Sequence, residues 1–225
     1  MQFMQKRVAQ PCFLCGARTQ GTLLCPGCAG DLPRVPAECC PVCALPTLAG
    51  AVCGACLKHP PAFDRTVSVY QYAFPASVLV QQLKYGDELA LAPWLADRLV
   101  ETLAGADRPD LIIPMPLHEN RLKERGFNQA ALLAKRLSNQ LDVALDLRNT
   151  RRVRDTRPQV ELPLKHRRGN MRNAFACDLD LTGKHVALVD DVMTSGASLN
   201  ELAKVVKRAG AAEVSVWVIT RAVRD

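Results

Sequence analysis

The sequence predicts an α/β protein built on a doubly wound parallel sheet and preceded by a small zinc-ribbon module. Short apolar runs, typical of strands buried on both faces, alternate with stretches of helical spacing. Nine of the ten cysteines fall between Cys12 and Cys56. With 225 residues, 48% of them hydrophobic, the chain can bury one substantial core and still carry an accessory module. We therefore expect a zinc-ribbon module at residues 1–60 and an α/β domain at residues 61–225.

The cysteine-rich segment is an internal repeat of four C-x2-C pairs. In each half, nine residues separate two pairs, and the four thiolates are enough for a closed tetrahedral Zn²⁺ site of the structural type. An iron–sulfur cluster and redox-active pairs are the alternatives, but Gly and Pro flank the pairs and little apolar sequence surrounds them. The repeat favours pairing within each half and leaves pairing across the halves open. The predicted ligands are Cys12, Cys15, Cys25 and Cys28 in the first half and Cys40, Cys43, Cys53 and Cys56 in the second.

The α/β domain follows an expected linker at 58–64. Val67 and Val69 alternate with other residues and predict the first strand, whereas apolar residues three or four apart predict the helices. Gly86 separates two of these helices, and Gly210 ends the last one. The predicted strands are 65–73, 110–115, 184–190 and 213–220, and the predicted helices lie around 78–83, 91–99, 127–141 and 197–209.

The run VALVDDVMTSGASL, residues 186–199, joins an apolar strand, two carboxylates and a small-residue turn that begins a helix. We expect Asp190 and Asp191 at the solvent-facing carboxyl end of the strand, where open α/β sheets bind ligands. The small residues Thr194–Ser198 let backbone N–H groups approach a phosphate, and the helix adds its positive end. Because carboxylates suit ribose hydroxyls, this order predicts a site for a phosphorylated sugar. The alternative is a strand that ends in a polar turn and a helix cap. No lysine follows the glycine, which excludes an ordinary P-loop.

The same run resembles the phosphoribosyl pyrophosphate (PRPP) signature of type I phosphoribosyltransferases. The resemblance implies a type I phosphoribosyltransferase-like fold, in which Asp190 and Asp191 hold the ribose 2′- and 3′-hydroxyls. Mg²⁺ would bind with PRPP on the diphosphate and ribose oxygens. Asp191 is also a candidate proton acceptor. The implied contacts of the 5′-phosphate are Met193, Thr194, Ser195, Gly196, Ala197 and Ser198.

A second polar segment follows the strand at 110–115, on the same edge of the sheet. Its sequence PLHENRLKERGFNQA, residues 116–130, resembles the signature of the ComF family of phosphoribosyltransferase-like proteins. The resemblance implies a pyrophosphate loop at 118–125 and a mobile flap at 151–172, and an amino-terminal zinc ribbon is a feature of that family. With the two carboxylates, Arg121 and Arg125 are the candidate catalytic residues, placed to stabilise a leaving diphosphate, and Lys123 is a candidate to bind it. A polar loop without a ligand is the alternative.

Positive charge is concentrated in one segment. The formal net charge is +7, and residues 148–172 contain nine Lys or Arg against two Asp or Glu. An arginine-dominated loop in a chain that also has a predicted phosphate site favours contact with a polyanion. The alternative is a basic face that contacts only solvent. The candidate nucleic-acid contacts are Arg151, Arg152, Arg167 and Arg168.

Three classes of function remain open: a phosphoribosyltransferase with an unidentified nucleophile, a nucleic-acid-handling protein for which PRPP is a regulator or relic, and a zinc-ribbon adaptor. The ComF resemblance implies natural competence, with single-stranded DNA and a DNA-uptake helicase or channel as partners. Aromatic residues make up 5% of the chain and are expected in the core, which weakens a base-stacking platform. No apolar run approaches the roughly 18 residues of a membrane span, and no signal-like segment opens the chain. We therefore expect a cytoplasmic protein with no membrane span.

Overall fold

The structure is a computed structural model that describes residues 9–86, 88–154 and 173–223. The cysteine-rich segment contains β1 (Ala9–Pro11), β2 (Arg18–Gln20), α1 (Pro26–Gly30), a 3₁₀ helix (Leu48–Gly50) and α2 (Gly54–Lys58). The remaining elements are β3 (Arg65–Gln71), α3 (Ala76–Tyr85), α4 (Leu91–Thr102), β4 (Leu111–Pro114), α5 (Glu119–Arg125), α6 (Gln129–Leu141), β5 (Ala144–Leu145), β6 (Thr150–Arg152), β7 (Phe175–Cys177), β8 (His185–Met193), α7 (Ala197–Arg208) and β9 (Glu213–Arg221).

Five strands form the central sheet in the order β3-β9-β8-β4-β5, and every neighbouring pair runs parallel. Ile113 of β4 lies beside Leu188 of β8, which in turn lies beside Val216 of β9. All three side chains are fully buried. Strands covered on both faces need continuous apolar runs, which is the pattern of these segments. The predicted parallel α/β sheet is confirmed.

Helices cover both faces of the sheet. Along β8, Ala187 and Val189 pack in an apolar cluster with α3, α4 and α6, whereas Val186 and Leu188 pack in a second cluster with α7. Leucines such as Leu83 of α3 are fully buried, and burial of each contributes roughly 1.5–3 kcal/mol. The sheet is therefore doubly wound, as the sequence predicts.

Strand β8 is longer than predicted. It continues past Asp190 to Met193, because Val192 and Met193 keep their pairing with Thr220 and Arg221 of β9. The two carboxylates consequently lie within the strand instead of after its end.

Residues 119–125 form helix α5 inside the segment that the family resemblance identifies as a loop. The Nδ1 atom of His118 accepts the main-chain N–H of Asn120 at 3.3 Å and caps this helix. The next helix, α6, is capped by Asn128, which also donates from Nδ2 to the carbonyl of Met115 at 3.0 Å. This second contact holds α6 against the end of β4.

The cysteine-rich segment covers the outer edge of β3. The N–H of Val35 donates to the carbonyl of Val69 at 3.2 Å, and the N–H of Gln71 donates to Pro33 at 2.7 Å. Farther along, the N–H of Thr66 donates to Pro41 at 3.0 Å. An edge strand with unpaired backbone groups invites association with other chains, and these bonds close that edge.

The expected linker at 58–64 is a packed connection in the structure. Phe63 is buried, and the N–H of Ala62 donates to Oδ1 of Asn200 in α7 at 2.7 Å. Asp64 then accepts the N–H of Val214 at 2.7 Å. The connection is therefore hydrogen-bonded both to α7 and to β9.

Within the described ranges, no helix combines the length and apolar character that crossing a bilayer demands.

Candidate functional site

The eight predicted cysteine ligands form two clusters, one from each half of the repeat. The first cluster is Cys12, Cys15, Cys25 and Cys28, and the second cluster is Cys40, Cys43, Cys53 and Cys56. In each, the four Sγ atoms all lie within 4.8 Å of one another. The Sγ atoms of Cys15 and Cys25 are 3.7 Å apart, and those of Cys43 and Cys53 are 3.6 Å apart. Four tetrahedral Zn–S bonds of about 2.3 Å place sulfur atoms about 3.8 Å apart, so both clusters have the size of a structural zinc site.

One cysteine of each cluster has a lowered pKa, which favours the thiolate form that binds metal. Burial raises the pKa of Cys12, but main-chain N–H donors, those of Cys15 and Cys25 among them, outweigh it and lower the pKa to about 6. In the same way, main-chain donors outweigh burial and lower the pKa of Cys40 to about 7. The pKa of Cys28 is raised by side-chain contacts with Cys15 and Cys25. A shared cation would let all four sulfurs of a cluster lose their protons.

Asp190 and Asp191 lie at the carboxyl edge of the sheet and point to opposite faces of β8. Asp190 is partly exposed, and its Oδ1 accepts the main-chain N–H of Asp191 at 2.9 Å. Asp191 is 2% exposed, and its Oδ2 lies 2.8 Å from Nζ of Lys84 at the end of α3. The expectation that both carboxylates face solvent is wrong for Asp191, because α3 places Lys84 against it.

The two carboxylates differ in their electrostatics. Burial raises the pKa of Asp190 well above its usual range, and the charge of Asp191 raises it further. Burial lowers the pKa of Lys84, but the charge of Asp191 and its hydrogen bond with Lys84 outweigh burial and raise that pKa. Lys84 is therefore held as an ammonium ion, while Asp190 takes up a proton more readily than an ordinary carboxylate.

The loop at 193–198, which we call the phosphate loop, requires its glycine. Gly196 has a φ of +74°, and a Cβ there would lie 2.8 Å from Cε of Met193. The left-handed backbone conformation therefore favours glycine at this position, whereas Cε of Met193 is the end of a flexible side chain. Oγ of Ser195 accepts the N–H of Ala197 at 3.3 Å, at the first residue of α7. The turn thus leads directly into the helix N-terminus.

A small open pocket joins this loop to one carboxylate. It is lined by Asp190 and by residues 192–194 and 196–199. The structure therefore brings Asp190 together with most of the residues expected around the 5′-phosphate. Ser195 is exposed beside the pocket, and Asp191 lies on the other side of the strand.

Helix α5 brings one of its three predicted basic residues to this edge. The guanidinium of Arg125 lies 5.1 Å from the ring centre of Tyr85, which follows Lys84 in the chain. Arg121 lies one turn before Arg125 on the same side of α5, whereas Lys123 is exposed on a different side. The structure therefore does not place the three cations on a single face.

The predicted nucleic-acid contacts are only partly described. Arg151 lies in β6 and forms an ion pair with Asp178. Arg152 places its guanidinium 5.9 Å from the centre of an aromatic ring in β7. Arg167 and Arg168 lie outside the described residues. The charge of Arg151 is thus already matched by a carboxylate.

Known proteins resemble the chain along most of its length. A phosphoribosyl transferase domain model matches residues 128–223, and a double zinc ribbon domain model matches residues 8–57. The DNA utilization protein YhgH of Salmonella typhimurium is 39% identical over 205 residues, covering 88% of this chain and 90% of that protein. Competence protein F of Haemophilus influenzae is 39% identical over 180 residues, covering 76% of this chain and 78% of that protein. The chain belongs to the ComF family. The sequence resemblance to this family is thus confirmed. The predicted fold, a zinc ribbon followed by a phosphoribosyltransferase-like domain, is confirmed as well.

One solved structure similar to this ComF protein is a purine phosphoribosyltransferase from Pyrococcus horikoshii. It is 23% identical, covers 57% of this chain and 83% of its own, and has a TM-score of 0.37.

Sequence reasoning missed three residues at this edge of the sheet: Lys84, Tyr85 and Arg221. A lysine at the end of a helix is ordinary, since it interacts favourably with the helix dipole, so nothing marks Lys84 in the sequence. The expectation that the aromatic residues lie in the core is wrong for Tyr85, which is 74% exposed. Arg221 ends an apolar strand and is itself buried, a position at which arginine is unusual.

Proposed function

We propose that this protein binds PRPP with Mg²⁺ at the carboxyl edge of its sheet and serves the uptake or use of DNA. The observation that carries the proposal is the pocket shared by partly exposed Asp190 and the phosphate loop. A carboxylate accepts hydrogen bonds from ribose hydroxyls, and a small-residue turn at a helix N-terminus suits a phosphate. The names of the relatives, which refer to DNA utilization and to competence, support the link to DNA.

The carboxylates take different roles in this proposal. Asp190, which lines the pocket, accepts the ribose hydroxyls, whereas Asp191, on the other side of the strand, is held by Lys84 through the 2.8 Å ion pair. Because Asp191 is held by a cation and Asp190 has a raised pKa, Asp190 is the better acceptor for a proton from an incoming nucleophile. The carboxylates also fit the water shell of Mg²⁺, which keeps several waters and few protein ligands.

Helix α5 supplies the positive charge for the diphosphate. When bound, Mg²⁺ neutralises part of the charge on the diphosphate. In a transfer reaction, the bond from the anomeric carbon to pyrophosphate breaks as a bond to the nucleophile forms. Arg121 and Arg125, on one side of α5, stabilise the departing pyrophosphate, and Lys123 adds charge from a neighbouring side.

We further propose the division into a zinc-ribbon module at 1–60 and a phosphoribosyltransferase-like domain at 61–225. The two matched ranges, 8–57 and 128–223, support it. The ten cysteines form no disulfide, which suits a metal-binding protein of the reducing cytoplasm.

The test is calorimetric titration with PRPP and Mg²⁺. Exchanging Asp190 and Asp191 for asparagine keeps their shape but removes the charge-assisted acceptor of the pocket, worth about 1.5–3 kcal/mol, together with the partner of Lys84. Binding should weaken at least about tenfold. The control exchanges Asp107 and Asp142, which are 82% and 100% exposed and precede β4 and β5 at the opposite edge of the sheet. It makes the same change in net charge and should leave affinity unchanged.

Wild-type affinity in a folded Asp190→Asn, Asp191→Asn protein would refute the site. Absence of PRPP binding by the unchanged protein would instead favour the adaptor function, in which the zinc ribbons dock to a DNA-uptake helicase or channel.

A second candidate function is the binding of single-stranded DNA at the same edge. Its support is Tyr85, exposed and in contact with Arg125 at 5.1 Å, because exposed aromatic rings and arginine planes stack on bases. Tyr85→Ala should weaken binding of a single-stranded oligonucleotide by about 1–3 kcal/mol. Phe74→Ala removes another exposed ring, at the other end of α3, and serves as the control. Equal losses in the two variants would contradict a specific platform at Tyr85.

A further inference from the structure

Arg221 occupies an unusual place at the end of β9. It is 4% exposed, and its guanidinium donates hydrogen bonds to main-chain carbonyls from three separate parts of the chain. Nε donates to Cys43 at 2.7 Å, and Nη1 donates to Met193 at 3.0 Å and to Thr194 at 2.5 Å. Nη1 also donates to Ala222 at 2.7 Å. Hydrogen bonds from a charged donor are stronger than neutral ones, so this residue holds its acceptors firmly.

The segments that Arg221 joins belong to two different sites. Cys43 is a ligand residue of the second cluster, with its Sγ 3.6 Å from that of Cys53. Met193 and Thr194 begin the phosphate loop, and Cε of Met193 lies 2.8 Å from the position that a Cβ on Gly196 would take. One guanidinium therefore connects the backbone of a metal ligand to the backbone of the phosphate loop.

Two further contacts connect the second cluster to the phosphate loop and to α7. The connection that leaves the second cluster through α2 donates from the N–H of Ala62 to Oδ1 of Asn200 in α7, at 2.7 Å. Cζ of Phe63 lies 3.9 Å from the position that a Cβ would take if Gly196 had one. The second cluster thus reaches both the phosphate loop and the helix that the loop begins.

The first cluster lies elsewhere and offers an internal comparison. Cys12 packs in the apolar cluster of α3 and α4, on one face of the sheet, whereas Cys40, Cys43 and Cys56 pack with α7 on the other face. The two clusters have the same four-cysteine composition and the same size, but they lie on different faces of the sheet. A ligand in the phosphate loop should therefore affect only one of them.

We propose that Arg221 is a positioning residue that couples metal binding at the second cluster to phosphate binding at the phosphate loop. Metal held by Cys43 and its partners fixes the Cys43 carbonyl, which fixes Arg221 and, through it, the carbonyls of Met193 and Thr194. Coupling between two sites is reciprocal, so a ligand in the loop must also strengthen metal binding at the second cluster. The inference rests on the proposed binding of PRPP.

The experiment measures the zinc affinity of each cluster by equilibrium competition with a chromogenic chelator, with and without PRPP and Mg²⁺, after calorimetry has established whether PRPP binds. A Cys15→Ser variant, changed at the exposed ligand of the first cluster, assigns the two steps of zinc loss. PRPP should raise the zinc affinity of the second cluster about tenfold, within the usual range of coupling, and leave the first unchanged. In Arg221→Gln, with two zinc ions still bound, this gain should disappear. Arg221→Lys keeps the charge but not the planar fork, and should restore only part of it.

The outcomes separate the two proposals. PRPP binding with equal effects, or no effect, on the two clusters would overturn the coupling and leave the PRPP site intact. A chain that does not bind PRPP would overturn both. Should Arg221→Gln fail to fold, the wild-type comparison still decides whether the second cluster and the phosphate loop are coupled, and Arg221→Lys decides whether Arg221 carries the coupling.

Discussion

Replacing Lys84 with methionine tests the electrostatics of the site most directly. The change removes the ammonium group but keeps a long apolar side chain, so Asp191 loses its partner while remaining buried. Removing one member of a buried ion pair costs about 3–5 kcal/mol. The side chains are 21% exposed for Lys84 and 3% for Asp191, which argues for the lower end, about 3 kcal/mol. For a chain of this size, that loss corresponds to a fall in Tm of about 6–12 °C.

The loss should depend on pH with a definite sign. Without Lys84, the ionised Asp191 carboxylate is buried with no counterion, whereas water solvates it in the unfolded chain. The destabilisation is then greatest at neutral and higher pH and shrinks in acid, where carboxyl groups are neutral. Thermal unfolding followed by circular dichroism over this pH range measures it.

A double-mutant cycle isolates the pair. Lys84→Met combined with Asp191→Asn should be less destabilising than the sum of the single changes, by at least about 1 kcal/mol. Lys204→Met is the matched control, since Lys204 is 46% exposed in its pair with Glu201 and such pairs contribute about 0–1 kcal/mol. If Lys84→Met melts like the wild type at neutral pH and shows no coupling, the buried ion pair is not a feature of the folded protein.

Three further predictions concern other parts of the molecule. Protein purified without chelator should carry two Zn²⁺ per chain by elemental analysis, one for each cluster, and metal removal should unfold the cysteine-rich segment; an iron–sulfur absorption band would contradict this. Asp190→Asn should stabilise the fold, and the gain in stability should grow as pH rises, because the raised pKa of Asp190 makes its ionised form costly in the folded protein. Melting curves from acid to mildly alkaline pH measure this gain, and equal Tm values for the variant and the wild type would contradict it. Exchanging Arg151 and Arg152 for glutamine should lower the salt slope of oligonucleotide binding by about one for each lost phosphate contact, and an unchanged slope would assign them to a solvated face.

The zinc ligands and the main elements could be predicted because their signals are local. A C-x2-C pair brings two sulfurs together within one short turn, so spacing alone identified the cysteines of both clusters, which the structure assembles within each half. Apolar periodicity likewise placed β3, β4, β8 and β9, since alternation and continuous apolar runs reflect burial of the strand itself. The signature around Asp190 placed a candidate ligand site at the end of β8 for the same reason.

By itself, then, the sequence determined the fold class, the two sets of four clustered cysteines and the strand that carries the carboxylates. Tertiary structure alone decided what each carboxylate faces: Lys84 reaches Asp191 across the sheet edge, Tyr85 meets Arg125, and Arg221 bonds to Cys43, 178 positions away. These contacts depend on the strand order and on where each helix crosses the sheet. Periodicity reports which face of an element is buried, but it carries no information about which distant element covers that face.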